Sequence, residues 1–208
     1  MSTVTMPMKR HALGLPAGSI RAAHVIGVVA LSCAIIVVPS RGVVAIPPYL
    51  IYLLFLLMGH YFAAHGVTIA TRDDPSPSPL YLPGGVVRTL IIIALGGSIG
   101  WKLYDNMPGL RDQFTESLKG LQDQPYLPLV VLGGFFLGAI IRAFVGRDNP
   151  PRLWQDLEAW ISLVGLAGLS IAAVIHLVVL TSLAESIMMP TWEGMVGGVV
   201  AFYFGARS

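Results

Sequence analysis

Long apolar segments are the feature of this sequence that most restricts its fold. A membrane-spanning helix needs about 20 mostly apolar residues to cross a hydrocarbon core about 30 Å thick. Five segments have that character: residues 20–38, 48–70, 86–104, 127–145 and 160–184. A sixth, residues 192–206, is shorter and rich in glycine, and it either crosses a thinner region, extends through Pro190, or stops partway as a re-entrant segment. The sequence therefore predicts an all-α integral membrane protein, a six-helix transmembrane bundle.

The proportion of charged side chains is too low for a water-soluble domain of this size. Asp, Glu, Lys and Arg make up 12% of the 208 residues, about half of what soluble domains carry, and 55% of the residues are apolar. We expect a short N-terminal tail, residues 1–19, followed by a single transmembrane domain, residues 20–206. The net charge of +2 provides no basic surface for nucleic acid.

The distribution of basic residues predicts that both termini are cytoplasmic. In the six-span arrangement nine of the 13 Lys and Arg residues fall on the side of the termini and four on the other side, as the positive-inside rule requires. The Tyr and Trp residues gather at the ends of the spans, and Tyr61 is the exception. We expect the chain to lie in a bacterial inner membrane.

Arginines near the cytoplasmic ends of the predicted spans are candidate lipid anchors. An arginine about one turn inside a helix end can extend its guanidinium to the headgroup layer. The residues concerned are Arg21, Arg88, Arg142, Arg147 and Arg152. A specific site for anionic lipid is the alternative for the last three.

The sequence also resembles itself in three places that follow in the same order, at separations of 67, 77 and 75 positions. Residues 15–22 (LPAGSIRA), before the first span, match residues 82–89 (LPGGVVRT), before the third, 67 positions later. The second and fourth spans begin and end alike, at residues 48–75 and 125–150. The predicted unit is a helical hairpin, and its copies share one orientation, so any symmetry axis runs along the membrane normal. A third, more divergent copy would begin near Pro150.

The connection on the non-cytoplasmic side, residues 105–124, has the pattern of an amphipathic helix. Its apolar side chains recur at helical spacing opposite charged ones; they are Leu110, Phe114, Leu118 and Leu121. The helix lies either on the outer leaflet or as a cap over the mouth of the bundle.

Pairs of glycines four residues apart predict close helix packing. Such a pair places two small residues on one face, so that a neighbouring backbone can approach. The pairs are Gly96 with Gly100, Gly134 with Gly138, and Gly194 with Gly198. The neighbour belongs either to the same chain or to another copy.

Histidines are the candidates for chemistry, because ionisable groups inside a bilayer are costly. His24 and His65 fall at similar depth near the cytoplasmic ends of adjacent antiparallel spans, which suits a bis-histidine b-type haem, a transition metal or proton transfer. His60, near the middle of its span, and His176, nearer the outer face, are candidates for a proton or ion pathway. Hydrogen-bonded packing histidines are the structural alternative for all of them.

The sequence contains no recognisable catalytic motif, neither a nucleophile elbow nor a zinc-binding helix nor a nucleotide loop. We therefore expect a non-enzymatic membrane subunit, either the embedded scaffold of a larger complex or a homo-oligomeric pore. The scaffold is favoured because the spans lack the polar rings of a conducting path. Its expected partners are the lipid bilayer and either further copies of the chain or other membrane subunits. An electron-transfer subunit with haem b or a metal at His24 and His65, and a proton-coupled solute carrier, are the alternatives.

Overall fold

The computed structural model describes residues 12–16, 18–37, 45–66, 80, 82, 85–145, 152–178 and 190–206, and all regular structure in these segments is helical. A short 3₁₀ turn, Ala12–Gly14, precedes the main helices. These are α1 (Ser19–Val37), α2 (Pro48–Gly66), α3 (Val86–Asp123), α4 (Leu127–Val145), α5 (Arg152–Val178) and α6 (Pro190–Ala206). The all-helical fold class is thereby confirmed.

Four of these helices, α1, α3, α4 and α5, are long and apolar enough to cross a membrane. The apolar stretches of α2 and α6 are shorter, Pro48–Phe62 and Gly194–Ala206. The fifth predicted span begins at residue 160, whereas α5 begins at Arg152. The first two turns of α5 are polar, so the hydropathy pattern does not include them although they are helical. These lengths and hydropathies are those of a membrane-associated helical protein.

The helices pack with α1, α2 and α6 at the centre and with α3, α4 and α5 around them. Helix α1 contacts α2, α3 and α5, while α6 contacts α2, α4 and α5. The side chains in the middle are fully buried and apolar, for example Val28 of α1, Leu53 of α2 and Phe204 of α6. Close van der Waals packing of these side chains therefore holds the central helices together.

The outer helices direct large apolar side chains away from the bundle. Ile93 of α3, Phe136 of α4 and Val164 of α5 are 66%, 60% and 67% exposed. Soluble monomers rarely expose contiguous apolar patches of more than a few hundred Å². Faces of this kind on three helices are suited to contact with lipid hydrocarbon.

Helix α3 does not end at residue 104 but kinks at Asn106 and continues to Asp123. Asn106 has non-helical backbone angles (φ −154°, ψ 75°), and its Oδ1 accepts a hydrogen bond from the Gly109 N–H at 3.1 Å. This is the geometry of an N-cap, which satisfies a free N–H in the first turn of a new helix. Pro108 is tolerated there because first-turn N–H groups have no intrahelical acceptor. Asn106 therefore separates the apolar part of α3 from the connector helix.

The connector helix packs on the far ends of α1 and α2 through polar side chains. Gln113 Nε2 donates to the Ile35 carbonyl at 3.1 Å, and the Ile46 N–H donates to Ser117 Oγ at 2.8 Å. Ile35 lies in the last turn of α1, where carbonyls have no helical partner, so Gln113 supplies the missing donor. One face of the connector therefore covers the bundle end.

The apolar face predicted for the connector is only partly the face that packs. Leu110 is buried, but Phe114 and Leu118 are 39% and 59% exposed. The packed face is displaced toward Gln113 and Ser117, because the polar backbone at the loop between α1 and α2 needs hydrogen-bonding partners. Contact of the remaining apolar side chains with the outer leaflet stays a prediction.

Candidate functional site

Ionisable and aromatic side chains in the packed helices gather at one end of the bundle. Here α1, α3 and α5 begin and α2, α4 and α6 end, and we call it the basic end because Arg21 and Arg88 lie there. Its other ionisable members are His24 of α1, the adjacent His60 and Tyr61 of α2, and Asp156 and Glu158 of α5.

Two matching segments lead into α1 and α3 at the basic end. Leu13 and Leu80 both adopt left-handed backbone angles, with φ of 57° and 55°, and Gly18 and Gly85 have φ of 82° and 92°. Each pair is 67 positions apart. Leucine rarely adopts this conformation, whereas glycine does so without steric cost. The two segments therefore turn alike at matched positions, and each helix carries its arginine as its third residue.

The strained leucines are held by side chains of neighbouring helices. The Leu13 N–H donates to Asp156 Oδ1 of α5 at 2.9 Å, and the Leu80 N–H donates to Ser19 Oγ of α1 at 2.9 Å. These bonds offset the backbone strain and fix where the segments lie. Asp156 was missed from the sequence because the fifth span was placed after it, although its carboxylate at the edge of an apolar run was a usable signal.

His24 is completely buried and joins three helices. Its Nδ1 lies 2.8 Å from the carbonyl oxygen of Ile20, one turn earlier, and its Nε2 lies 2.9 Å from the carbonyl oxygen of Ser162 on α5. The imidazole stacks on Tyr203 of α6, with 5.4 Å between ring centroids, and contacts the edge of Phe204. His24 therefore cross-links α1, α5 and α6.

Both His24 nitrogens face carbonyl oxygens, which only accept hydrogen bonds. A neutral imidazole has one donor, so it forms one ordinary hydrogen bond here, whereas the protonated ring forms two. In this structure each His24 nitrogen faces a backbone carbonyl oxygen, and the haem interpretation stays a prediction. The side chain of His65, the predicted second ligand, lies outside the described part of α2.

His60 lies in the last two turns of the described α2, Pro48–Gly66. Its ring contacts the edges of Phe135 and Phe204, with centroid distances of 6.0 and 5.6 Å, and Arg21 is within electrostatic range. The His60 Nε2 atom is buried and has no hydrogen-bond partner among the described residues. The side chain of His176, its predicted companion, is not among the described atoms of α5.

Tyr61, Arg21 and Arg88 are further polar residues of the basic end. The Tyr61 side chain is buried, and both Arg21 and Arg88 lie within electrostatic range of it. The Arg88 guanidinium stacks over Phe62, with 5.7 Å between its carbon and the ring centroid. Its Nη2 atom is buried without a hydrogen-bond partner in the described part of the chain. Sequence reasoning missed Tyr61 as a site residue, although its departure from the aromatic belts was a signal.

Two of the three glycine pairs face one another across the contact between α4 and α6. A Cβ atom at Gly134 would overlap the Gly198 carbonyl oxygen, and one at Gly138 would overlap the carbonyl oxygen of Phe202. At Gly194 it would lie 2.8 Å from the Leu127 side chain. Helices α4 and α6 therefore touch backbone to backbone.

The third pair, on α3, has a different environment. A Cβ atom at Gly96 or at Gly100 would meet nothing within 4 Å in the described structure, and the same holds for the intervening Gly97. This face of α3 is exposed. The pair therefore packs against no other described helix of this chain.

The remaining predicted anchors are described only in part. Arg142 lies half-buried in the last turn of α4, where the helix dipole favours a cation. Arg147 lies outside the described residues, and Arg152 begins α5 but its side chain is not described. Lipid contact at these arginines stays a prediction.

Among the residues that the structure describes, no three His, Cys, Asp or Glu side chains lie close enough together to hold a metal ion. The groups that the basic end does bring together are hydrogen-bond donors, cations, aromatic rings and the carboxylates of Asp156 and Glu158 in the first turns of α5. Comparisons of the chain with protein-family models, with curated proteins and with solved structures found no match.

Proposed function

We propose that this chain is a non-enzymatic membrane scaffold that spans a bacterial inner membrane six times, with both termini in the cytoplasm. Its outer helices contact lipid and other subunits, and the first such subunit is a second copy of the chain. The observation that carries the proposal is the exposed glycine face of α3, Gly96 to Gly100, on a helix that is long and apolar enough to cross a membrane.

Matched backbone conformations support a construction from repeated hairpins. Leu13 and Leu80, and likewise Gly18 and Gly85, share left-handed angles at a constant spacing. The contacts of Gly134 with Gly198 and of Gly138 with Phe202 run in register, so α4 and α6 are parallel neighbours. Helices α4 and α6 are the second helices of their predicted hairpins. Hairpins that share one orientation place their second helices parallel to each other.

The filled interior favours a scaffold over a pore. Between α2, α4 and α6 the space beside Gly197 is occupied by Leu53 and Val131, whose side chains lie 3.6 and 3.8 Å from the position of an added Cβ. Both side chains are buried and apolar. A conducting path needs polar groups or water along a helix face, and close apolar packing at this place does not provide them.

The open face of α3 would allow the backbone of another helix to approach closely. In lipid, helices associate through close packing and interhelical hydrogen bonds, and small residues allow the approach. On α4 the same spacing of glycines already serves that purpose against α6. A second copy placing its own α3 against Gly96 and Gly100 would form a symmetric dimer contact.

Replacing Gly96 and Gly100 by leucine should therefore dissociate the oligomer while leaving the fold intact, because the added side chains project into open space. We expect the dissociation constant in detergent to rise about tenfold or more, which corresponds to about 1.4 kcal/mol. Light scattering of the purified protein measures the mass. Gly133→Leu is the matched control, since Gly133 on α4 is equally open. A monomeric wild type, or equal effects of both variants, would contradict the proposal.

A proton-coupled carrier is the second candidate, and the buried, unpartnered Nε2 of His60 favours it. The scaffold proposal predicts that liposomes containing the protein keep an imposed pH gradient as long as protein-free liposomes do. If the wild type dissipates the gradient, and His60→Phe slows the loss about tenfold while keeping the ring contacts, the carrier function replaces the scaffold. An entrapped pH-sensitive dye gives the rate.

A further inference from the structure

We infer that the bend in α3 contains a binding site for a phospholipid whose headgroup is a zwitterion with a primary ammonium group. The inference rests on the proposed membrane-spanning arrangement and extends it, because it names the class of lipid that this part of the chain selects. It does not depend on the oligomeric state, since one chain supplies all the lining residues of the site.

A cavity of about 540 Å³ lies at the bend, where the apolar part of α3 meets the connector helix. This volume is within the range of sites for small ligands, about 300–1,000 Å³. The apolar lining residues come from both sides of the kink: Leu103, Met107, Pro108, Leu110 and Phe114. Leu103 and Met107 are 44% and 66% exposed, so the cavity opens at the surface of the bundle.

Two adjacent residues of opposite charge, Arg111 and Asp112, line the same cavity. Both are exposed, and neither forms an ion pair within the described part of the chain, where Lys119 pairs with Glu116 on the same helix. Side chains at adjacent helical positions do not face each other. The guanidinium and the carboxylate can therefore each bind a separate group of one ligand.

A zwitterionic headgroup provides both complementary charges. Its phosphate accepts hydrogen bonds from the Arg111 guanidinium, and its primary ammonium donates to the Asp112 carboxylate. A quaternary ammonium group keeps the positive charge but has no N–H to donate. An anionic headgroup without nitrogen offers nothing to Asp112, whose negative charge repels it. The charge pair therefore favours a primary-ammonium zwitterion over both of these headgroups.

The position of the cavity suits a membrane lipid rather than a soluble zwitterion. Helix α3 is apolar enough to cross a membrane, and Ile92, Ile93 and Trp101, which precede the bend, are exposed. The charged residues of the helix begin at the bend. A headgroup held at the bend therefore leaves its acyl chains beside the apolar part of α3, where lipid hydrocarbon covers exposed apolar side chains.

The experiment is a lipid titration of the full chain, delipidated in a neutral detergent and followed by native mass spectrometry and by thermal unfolding. The probes are phosphatidylethanolamine, phosphatidylcholine and phosphatidylglycerol with identical acyl chains. We expect phosphatidylethanolamine to bind the wild type and to raise its unfolding temperature at a concentration about tenfold lower than the other two, as expected for one additional charge-assisted hydrogen bond. Equal effects of the three lipids on the wild type would overturn the inference.

Two substitutions of exposed residues test the charge pair. Asp112→Asn should abolish the preference for phosphatidylethanolamine over phosphatidylcholine, and Arg111→Gln should weaken the binding of phosphatidylethanolamine about tenfold or more. Asp123→Asn is the matched control, because Asp123 is an exposed carboxylate on the same helix that does not line the cavity. Its titration should resemble that of the wild type, and a loss of preference equal to that of Asp112→Asn would contradict the site.

Met107→Trp tests the cavity itself, because a larger side chain at this exposed position occupies the space and leaves both charges in place. It should reduce the binding of phosphatidylethanolamine, and unchanged binding would show that the lipid binds elsewhere.

The variant with leucine at Gly96 and Gly100 separates this inference from the proposed dimer. It should bind phosphatidylethanolamine like the wild type, since neither glycine lines the cavity. A monomeric wild type that prefers phosphatidylethanolamine would refute the dimer alone, whereas a dimeric wild type without that preference would refute the lipid site alone.

Discussion

Replacing Gly134 by alanine should destabilise the protein by about 3 kcal/mol, whereas alanine at the adjacent Gly133 should leave it unchanged or slightly more stable. A Cβ at Gly134 would overlap the Gly198 carbonyl, so the backbones of α4 and α6 must separate. Overpacking costs about 1–3 kcal/mol where side chains can adjust, and a carbonyl cannot move to another rotamer. At Gly133 a Cβ meets nothing within 4 Å, and alanine is the better helix former.

The measurement is the free energy of unfolding of each purified variant in mixed detergent micelles. Gly138→Ala should resemble Gly134→Ala, because its Cβ would overlap the Phe202 carbonyl, and Gly205→Ala should confirm the effect from the α6 side, against Phe135. Equal stabilities of the Gly133 and Gly134 variants would mean that α4 and α6 are not in backbone contact.

The same glycine spacing has different meanings in α3 and α4, which shows why sequence alone could not complete the fold. Gly96 and Gly100 are open, while Gly134 and Gly138 lie against another backbone. The motif indicates that the residues on one helix face are small. Which helix packs against that face is determined by packing elsewhere in the bundle. Helix contacts of this kind join residues that are far apart in the sequence, so no local sequence pattern predicts them.

Helix ends could be predicted where hydropathy changes abruptly and not elsewhere. Helices α1 and α4 begin and end within one residue of the apolar segments 20–38 and 127–145. Helix α3 continues beyond residue 104 because Asn106 caps a second helix directly after the first, without an intervening loop. A hydropathy pattern detects the loss of apolar residues there, but it does not distinguish a kink from a connection.

The candidate site was accessible from the sequence only through its ionisable members. Arg21, Arg88 and His24 could be named because charged or titratable groups are rare in apolar segments. Their partners could not be named from the sequence. His24, for example, contacts the backbone carbonyl of Ser162, and every residue type has such a carbonyl. The His24 ring contacts α5 and α6, and its pairing with His65 stays a prediction, because the side chain of His65 is not among the described atoms of α2.

His24→Phe should lower the free energy of unfolding by about 1–3 kcal/mol, and His24→Ala by about 3–5 kcal/mol. Phenylalanine keeps the stacking on Tyr203 and the edge contact with Phe204, but it removes the ring nitrogens that face the Ile20 and Ser162 carbonyls. Alanine removes the ring as well and leaves a cavity in the core. The difference between the two variants therefore separates packing from hydrogen bonding.

Chemical unfolding in micelles provides both values, and a cysteine cross-link provides the second readout. Because the contact of His24 with Ser162 joins α1 to α5, its loss should increase their relative motion. A Cβ atom at Gly27 of α1 would lie 3.1 Å from the Leu166 side chain of α5. In a Cys33→Ala background, a cysteine pair at these two positions should form a disulfide more slowly when His24 is also changed to phenylalanine. An unchanged cross-linking rate together with unchanged stability would show that His24 does not contribute to the packing of α5 against α1.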